Sequence, residues 1–232
     1  SGMLFKDEIS QEGGWVFLGN SDPDPQVGGG DNLQISFYRA PELYGPWSAQ
    51  QVLITVEQVN QLPGVNVSVG IMERPKITQQ NGYYYLFLHL EPVGAYSLQY
   101  LGLYRFKSLA QPSTTNPWTK LFVGHPGHNQ RTGRGFHVLD FGLVTDEVTG
   151  KTLYTATTDS YRFPGECCTS DPPGTCNSTK TNMCANTALV TFDVNLQSSP
   201  IEFTPVTPLP GRWEAPTLFR DPTDPTTLYM MC

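Results

Sequence analysis

The chain has 232 residues, a formal net charge of −7, 15% charged residues and 12% aromatic residues. Because its Lys and Arg residues form no large cluster, we expect no nucleic-acid partner and no binding to an acidic membrane surface. The sequence also contains no apolar run near the roughly 20 residues of a membrane-spanning helix, and its first residues do not resemble a signal peptide.

The predicted elements are short strands, since 20 prolines and 22 glycines are spread along the chain and few stretches keep a helical period. A strand, a Pro-containing turn, a Trp and a return strand are predicted at 35–54 and again at 101–123. Further segments are rich in β-branched and aromatic residues and bounded by turn formers. These predicted strands cover residues 83–90, 100–106, 152–158 and 188–194.

The strongest signal is an internal repeat of about 70 residues. Aromatic strands centred on Trp15, Tyr84, Tyr154 and Tyr229 recur at this spacing. A repeat of this length that contains several short strands indicates an all-β fold of the β-propeller type, in which each repeat is one four-stranded blade.

The repeat divides the chain into about three and a half blades of one β-propeller domain over residues 1–232. A propeller needs at least four blades to close, so we expect a fragment that lacks the final blades. The predicted blades cover residues 1–60, 61–125 and 126–205, with a fourth beginning at about residue 206.

Three acidic residues occupy a similar phase of the repeat, because Glu73, Asp140 and Glu214 each precede an aromatic strand. A propeller would bring equivalent positions to one channel, where neighbouring carboxylates push their pKa values apart. One group then stays protonated, as an acid that cleaves glycosidic bonds requires. The remaining acids lie in polar turns and are predicted to be solvated, namely Asp7, Glu8, Asp146, Glu147, Asp221 and Asp224.

The cysteines indicate an oxidising compartment. Four of the five lie within 18 residues, at Cys167, Cys168, Cys176 and Cys184, and the fifth is Cys232. Their spacing lacks the close pairs of a zinc knuckle, so two disulfides in a surface insertion at 163–186 are favoured over a metal site. Three connectivities remain open. Together with two glycosylation sequons, this pattern predicts a secreted, extracellular glycoprotein.

The histidines and tryptophans give weaker signals. No pair among His89, His125, His128 and His137 has the spacing of a helical metal site, so no metal ligands are predicted. Trp47 and Trp118 occupy equivalent positions of the repeat and are expected to pack within blades. Trp213, next to Glu214, is the better candidate to stack on a sugar ring.

At residues 72–77, 140–142 and 213–219 the chain resembles glycoside hydrolase family 43, the five-bladed propeller glycosidases, and within it the exo-β-1,3-galactanase-like branch. The resemblance implies that Glu214 is the general acid and that Asp140 orients it and raises its pKa. It also implies that Glu73 hydrogen-bonds sugar hydroxyls in the terminal subsite and that Tyr96 contacts the same ring.

The resemblance further implies an inverting hydrolase that releases terminal galactose from β-1,3-galactan or arabinogalactan-type chains, and we expect the protein to be a monomer. No cofactor is expected to be required, although these acids could bind calcium, as some members of the family do on the propeller axis. The aspartate that activates water in most of the family has no counterpart here. Two alternatives remain: a propeller glycosidase acting on arabinan or xylan, and a non-catalytic propeller that binds glycans.

Overall fold

The computed structural model describes residues 2–21, 32–93, 99–126, 140–146, 150–158, 188–210, 216–221 and 224–231. It divides into a first unit, residues 1–124, and a second unit, residues 125–232. In the described ranges, no helix is both long and apolar enough to cross a membrane. Each unit is built from antiparallel sheets with strands in sequence order, so the predicted all-β class and the predicted four-stranded sheets are confirmed.

Sheet 1 of the first unit pairs four strands in chain order: β1 (Gly2–Lys6), β2 (Trp15–Ser21), β3 (Gln34–Ala40) and β4 (Gln51–Thr55). Helix α1 (Val56–Gln61) follows directly. It begins here because Thr55 accepts a hydrogen bond from the backbone of Gln58, whose side chain bonds the Thr55 backbone in return. Val56 and Val59, three residues apart, bury one face of this helix.

Sheet 2 completes the first unit with β5 (Val69–Gln80), β6 (Tyr83–Pro92), β7 (Tyr100–Phe106) and β8 (Thr119–Gly124). The second unit contains sheet 3 and a separate hairpin. Sheet 3 consists of β9 (Phe141–Asp146), β10 (Lys151–Thr158), β11 (Ala188–Asn195) and β12 (Glu202–Pro210), and the hairpin consists of β13 (Thr217–Asp221) and β14 (Asp224–Met231).

The predicted repeat agrees with this topology. Trp15, Tyr84, Tyr154 and Tyr229 each lie on the second strand of their sheet or hairpin. β12 continues to Pro210, a few residues beyond the boundary predicted at about residue 205. β12 is an edge strand, where residues without a backbone N–H, such as its prolines, are tolerated.

The core of the first unit lies between sheets 1 and 2 and follows the alternation of strand residues. On β2, Val16 and Leu18 are fully buried in a cluster shared with sheet 2, whereas Phe17 between them is 43% exposed. Trp118 joins this core by stacking on Phe106, with ring centroids 3.9 Å apart. Its predicted packing role is therefore confirmed.

Trp47 does not share the environment of Trp118, so its predicted packing role was wrong. Its side chain is 38% exposed and, with Leu4, Phe17 and Tyr38, it lines an apolar cavity of about 370 Å³ on the outer face of sheet 1. Trp118 stacks on Phe106, but the corresponding position of the first repeat holds an alanine. The equivalent ring is therefore missing from the first sheet.

Asp7 corrects a second prediction, because this acid is buried and not solvated. Its side chain is 0% exposed and lies 2.8 Å from Arg39 Nη1. Tyr84 of sheet 2 donates a 2.6 Å hydrogen bond to Asp7 Oδ1, and the Ser10 hydroxyl donates one of 2.7 Å to Oδ2. Asp7 thus joins the two sheets through charge-assisted bonds. Glu8, the next residue, is exposed as predicted.

Replacement of this buried carboxylate should destabilise the protein. Asp7→Asn removes the charge that compensates Arg39, and breaking a buried ion pair costs roughly 3 kcal/mol. We expect this loss in the free energy of unfolding measured with urea. Glu8→Gln is the matched control and should change stability by less than about 0.5 kcal/mol. Equal effects of the two substitutions would contradict the assigned role of Asp7.

The stabilisation by Asp7 should also depend on pH. Burial raises the pKa of Asp7, but hydrogen bonds from Tyr84 and Ser10 lower it by more, so the pKa lies below its ordinary value of 3.8. Its contribution is therefore present above pH 3.8 and is lost as the pH falls through the folded-state pKa. The stability difference between wild type and Asp7→Asn should narrow in acid, and a widening difference would contradict this account.

Candidate functional site

The described residues include two of the five predicted site residues, and they lie in different units. Glu73 lies on β5 of the first unit, and Asp140 immediately precedes β9 of the second unit. Tyr96, Trp213 and Glu214 lie outside the described residues. The expectation that Glu73, Asp140 and Glu214 share one channel therefore stays a prediction, and so do their assigned roles.

Glu73 belongs to a cluster with His89 and Glu91, which we call the β5–β6 cluster. His89 lies opposite Glu73 in the register of β5 and β6. Glu91 follows His89 by two residues on β6 and thus points to the same face of the sheet. One donor atom from each side chain lies within 4.8 Å of the other two. Strand pairing therefore brings together three chemically active groups.

The two β6 residues of the cluster are almost completely buried. His89 Nε2 and Glu91 Oε1 form a hydrogen bond of 2.9 Å, and each side chain is 3% exposed. Burial raises the pKa of Glu91, the hydrogen bond with His89 lowers it, and the charge of Glu73 raises it further. The net result is a pKa above the ordinary value of 4.5.

Sheet 1 supplies a polar support for Glu73. Asn32 Nδ2 donates a hydrogen bond of 2.5 Å to Glu73 Oε1, and Asn20 Nδ2 donates one of 2.9 Å to Asn32 Oδ1. The backbone of Asn32 also accepts a hydrogen bond of 3.1 Å from Met72 N. These contacts fix the carboxylate from the neighbouring sheet, as groups that orient a binding residue do.

A bulge in β5 presents Glu73 and explains the motif in which it occurs. The β5–β6 register shifts between Glu73 and Lys76, and Arg74 adopts a positive φ of 54°. Arg74 Nε lies 3.9 Å from Glu73 Oε2. Lys76 then donates a 3.0 Å hydrogen bond to the Gly2 carbonyl of β1. The Glu-Arg-Pro-Lys motif therefore provides the carboxylate of Glu73, the positive charge of Arg74 beside it, and Lys76, which bonds sheet 1.

Sequence reasoning missed most of this cluster. His89 was considered only against the spacing of a helical metal site, and Glu91 and Asn32 were not considered. A partial signal is present, because a His and a Glu two residues apart share a face once the strand predicted at 83–90 extends to Glu91. No comparable signal exists for Asn32, whose contact with Glu73 joins residues 41 positions apart.

In the second unit, the start of β9 lies against the residue that precedes β13. Asp140 is buried, and its carbonyl accepts a 2.7 Å hydrogen bond from Thr157 N, which fixes it at the start of β9. A Cβ on Gly142 would lie 2.2 Å from the Pro216 carbonyl oxygen. Gly142 and Pro216 follow Asp140 and Glu214, respectively, by two residues. Glycine is therefore required where these two motifs meet.

Two solved structures share the fold of this chain. The GH43_1 enzyme from Xanthomonas citri, solved in complex with xylotriose, aligns with TM-score 0.52 and 12% identity over 95% of this chain and 62% of that structure. RS223 β-xylosidase aligns with TM-score 0.50 and 13% identity over 89% of this chain and 58% of that structure. No family model and no curated protein matches the chain. This chain spans less than two thirds of the length of either solved structure.

Neutralising Glu91 should stabilise the protein at high pH. Because its folded-state pKa is raised, ionisation of Glu91 costs stability as the pH rises from 4.5 through the folded-state pKa. Glu91→Gln mimics the protonated form and keeps an oxygen that can accept from His89. We expect the variant to be more stable than wild type at pH 8 but not at pH 4. The exposed acid in Glu42→Gln is the control, and an advantage confined to pH 4 would contradict the prediction.

Gly142→Ala should destabilise the second unit. The added methyl group would meet a backbone carbonyl, which cannot move as a side chain can, and overpacking of this kind costs roughly 1 to 3 kcal/mol. The expected result is a lower urea midpoint with an unchanged m-value. A variant as stable as wild type would show that the backbones of residues 142 and 216 are not in contact.

Proposed function

We propose that this chain is the catalytic part of an inverting glycoside hydrolase with a five-bladed propeller fold. The single observation on which the proposal rests is the close approach of Gly142 to the Pro216 carbonyl, which joins the motif of Asp140 to the motif of Glu214. The fold shared with a GH43_1 enzyme and with a β-xylosidase supports the same assignment.

In the proposed mechanism Glu214 is the general acid that protonates the leaving oxygen. Asp140 is the neighbouring carboxylate that orients Glu214 and raises its pKa, since like charges at close range favour the protonated form. Inversion requires water to attack the opposite face of the sugar, so the acid and base should lie roughly 6.5 to 9.5 Å apart. The group that activates this water is not assigned.

Glu73 is proposed to bind hydroxyl groups of the terminal sugar, together with Tyr96 and Trp213. The hydrogen bond from Asn32 supports this role, because it holds one carboxylate oxygen and leaves a charged acceptor with 20% of its side chain exposed. Charged acceptors form strong hydrogen bonds with hydroxyl groups. Trp213 would supply an apolar ring face for stacking.

For the substrate, we propose release of terminal galactose from β-1,3-galactan or arabinogalactan-type chains. The motif around Glu73 supports this choice through its resemblance to the galactanase-like branch. Xylan oligosaccharides are the second candidate, because one structural neighbour is named a β-xylosidase and the other was solved with xylotriose. We also propose a secreted monomeric protein that requires no cofactor for hydrolysis.

Hydrolysis assays with galactan, xylan and arabinan oligosaccharides test the proposed reaction. Removal of a general acid lowers kcat by roughly 10² to 10⁴, so Glu214→Gln should lose activity by that factor. Glu73→Gln should mainly raise KM. Glu202→Gln replaces an exposed acid of sheet 3 and should keep the wild-type values.

The same assays separate the alternatives. Release of xylose or arabinose alone would exclude the galactanase assignment and keep the glycosidase. Binding of an oligosaccharide without cleavage would support a glycan-binding propeller in place of an enzyme. An active wild type with an equally active Glu214→Gln variant would remove Glu214 from the mechanism.

A further inference from the structure

The β5–β6 cluster has the composition of a metal site. It offers one imidazole from His89 and two carboxylates from Glu73 and Glu91, with a donor atom of each within 4.8 Å of the others. Three protein ligands of these types, with further positions left for water or substrate, are characteristic of metal centres that take part in chemistry.

Glu91 provides a second observation that points to a ligand. Its Oε1 is hydrogen-bonded to His89, but in the described part of the chain no group hydrogen-bonds its Oε2. The side chain is 3% exposed, so solvent compensates very little for this deficit. Leaving a buried carboxylate oxygen without a partner is costly. A bound cation would satisfy this oxygen and compensate the charge.

The spacing is compatible with a single ion. Two ligands on opposite sides of a cation are separated by roughly 4.2 Å when each bond is about 2.1 Å long. The observed upper limit of 4.8 Å therefore requires side-chain movements of less than an ångström, which rotation about the Glu73 side-chain bonds can supply. Glu73 is 20% exposed and provides the side from which a cation can enter.

The strands and the hydrogen bonds around the cluster hold its side chains in place, as they do around a bound metal ion. All three side chains are carried by paired strands, and Asn32, from the segment that precedes β3, donates a hydrogen bond to Glu73 Oε1. Outer contacts of this type orient the metal ligands. Arg74 Nε, 3.9 Å from Glu73 Oε2, is a positive charge that competes with a bound cation.

We propose that Glu73, His89 and Glu91 bind a divalent first-row transition-metal cation such as Mn²⁺. An imidazole ligand favours these metals over Ca²⁺, which takes six to eight oxygen ligands. The site is therefore different from a calcium site made by the acids of a propeller channel. It shares Glu73 with the proposed sugar subsite, but its other two ligands have no part in the proposed hydrolysis, and all three lie within the first unit.

The test measures Mn²⁺ binding to the 232-residue protein by electron paramagnetic resonance and by calorimetry. Mn²⁺ is the preferred probe because the five cysteines of the chain could bind Zn²⁺ through their thiolates. We expect wild type to bind one equivalent saturably. Glu73→Gln and Glu91→Gln should each weaken this binding at least about tenfold, as loss of a ligand does.

The variants are chosen so that loss of folding does not mimic loss of binding. Glu91→Gln replaces a carboxylate by an amide of nearly the same size, and Glu73 lies partly in solvent. Glu42→Gln removes an exposed carboxylate of the same unit and should bind Mn²⁺ as wild type does. Circular dichroism and thermal unfolding check that each variant is folded before its binding is measured.

Two results would overturn the proposal. The first is a folded wild-type protein that binds no Mn²⁺ saturably. The second is unchanged affinity in both Glu73→Gln and Glu91→Gln, which would place any bound ion elsewhere. Since no sugar is present in these measurements, failure of the metal site is distinguishable from failure of the hydrolase proposal, which rests on cleavage assays and on Glu214.

Discussion

The register between β5 and β6 is the constraint on which the candidate site depends. Side chains alternate between the two faces of a strand, so a shift of one residue would move Glu73 to the face opposite His89 and Glu91. The register shifts at the bulge after Glu73, but Glu73 itself stays paired with His89. The bulge also places Arg74, which has a positive φ, next to Glu73. Asn32, from the segment that precedes β3, then fixes the carboxylate. The site is therefore the product of strand pairing within one sheet and a polar contact from outside it.

Other polar contacts between sheets 1 and 2 also determine how the two sheets are positioned against each other. The apolar core between the sheets drives their association, but burial of apolar area alone does not fix how one sheet is placed on another. Asp7 bonds Tyr84 across the sheets, and Lys76 reaches the Gly2 carbonyl. Buried charges are costly unless they are paired, so these contacts favour one arrangement of the two sheets over displaced ones.

The sequence predicted the strands well because their signals are local. The predicted span of β7, residues 100–106, coincides with the observed strand, and the repeat placed its aromatic markers on equivalent strands. Long-range contacts were predicted poorly. Asp7 was assigned to a solvated turn because its partners Arg39 and Tyr84 are distant in sequence. Glu73 was identified through its motif, whereas Glu91 and Asn32 became recognisable only after strand pairing was known. The position of Trp47 in the repeat predicted a packing role that the structure does not show, because the residue equivalent to Phe106 in the first repeat is an alanine.

A double-mutant cycle between Glu73→Gln and Glu91→Gln tests most directly whether the β5–β6 cluster exists as described. The free energies of unfolding of wild type, both single variants and the double variant are measured at neutral pH without added metal. Carboxylates whose oxygens lie within 4.8 Å should be coupled, so the account predicts an interaction energy above about 0.5 kcal/mol. Strict additivity of the two substitutions would contradict it, because residues that do not share an environment change stability independently.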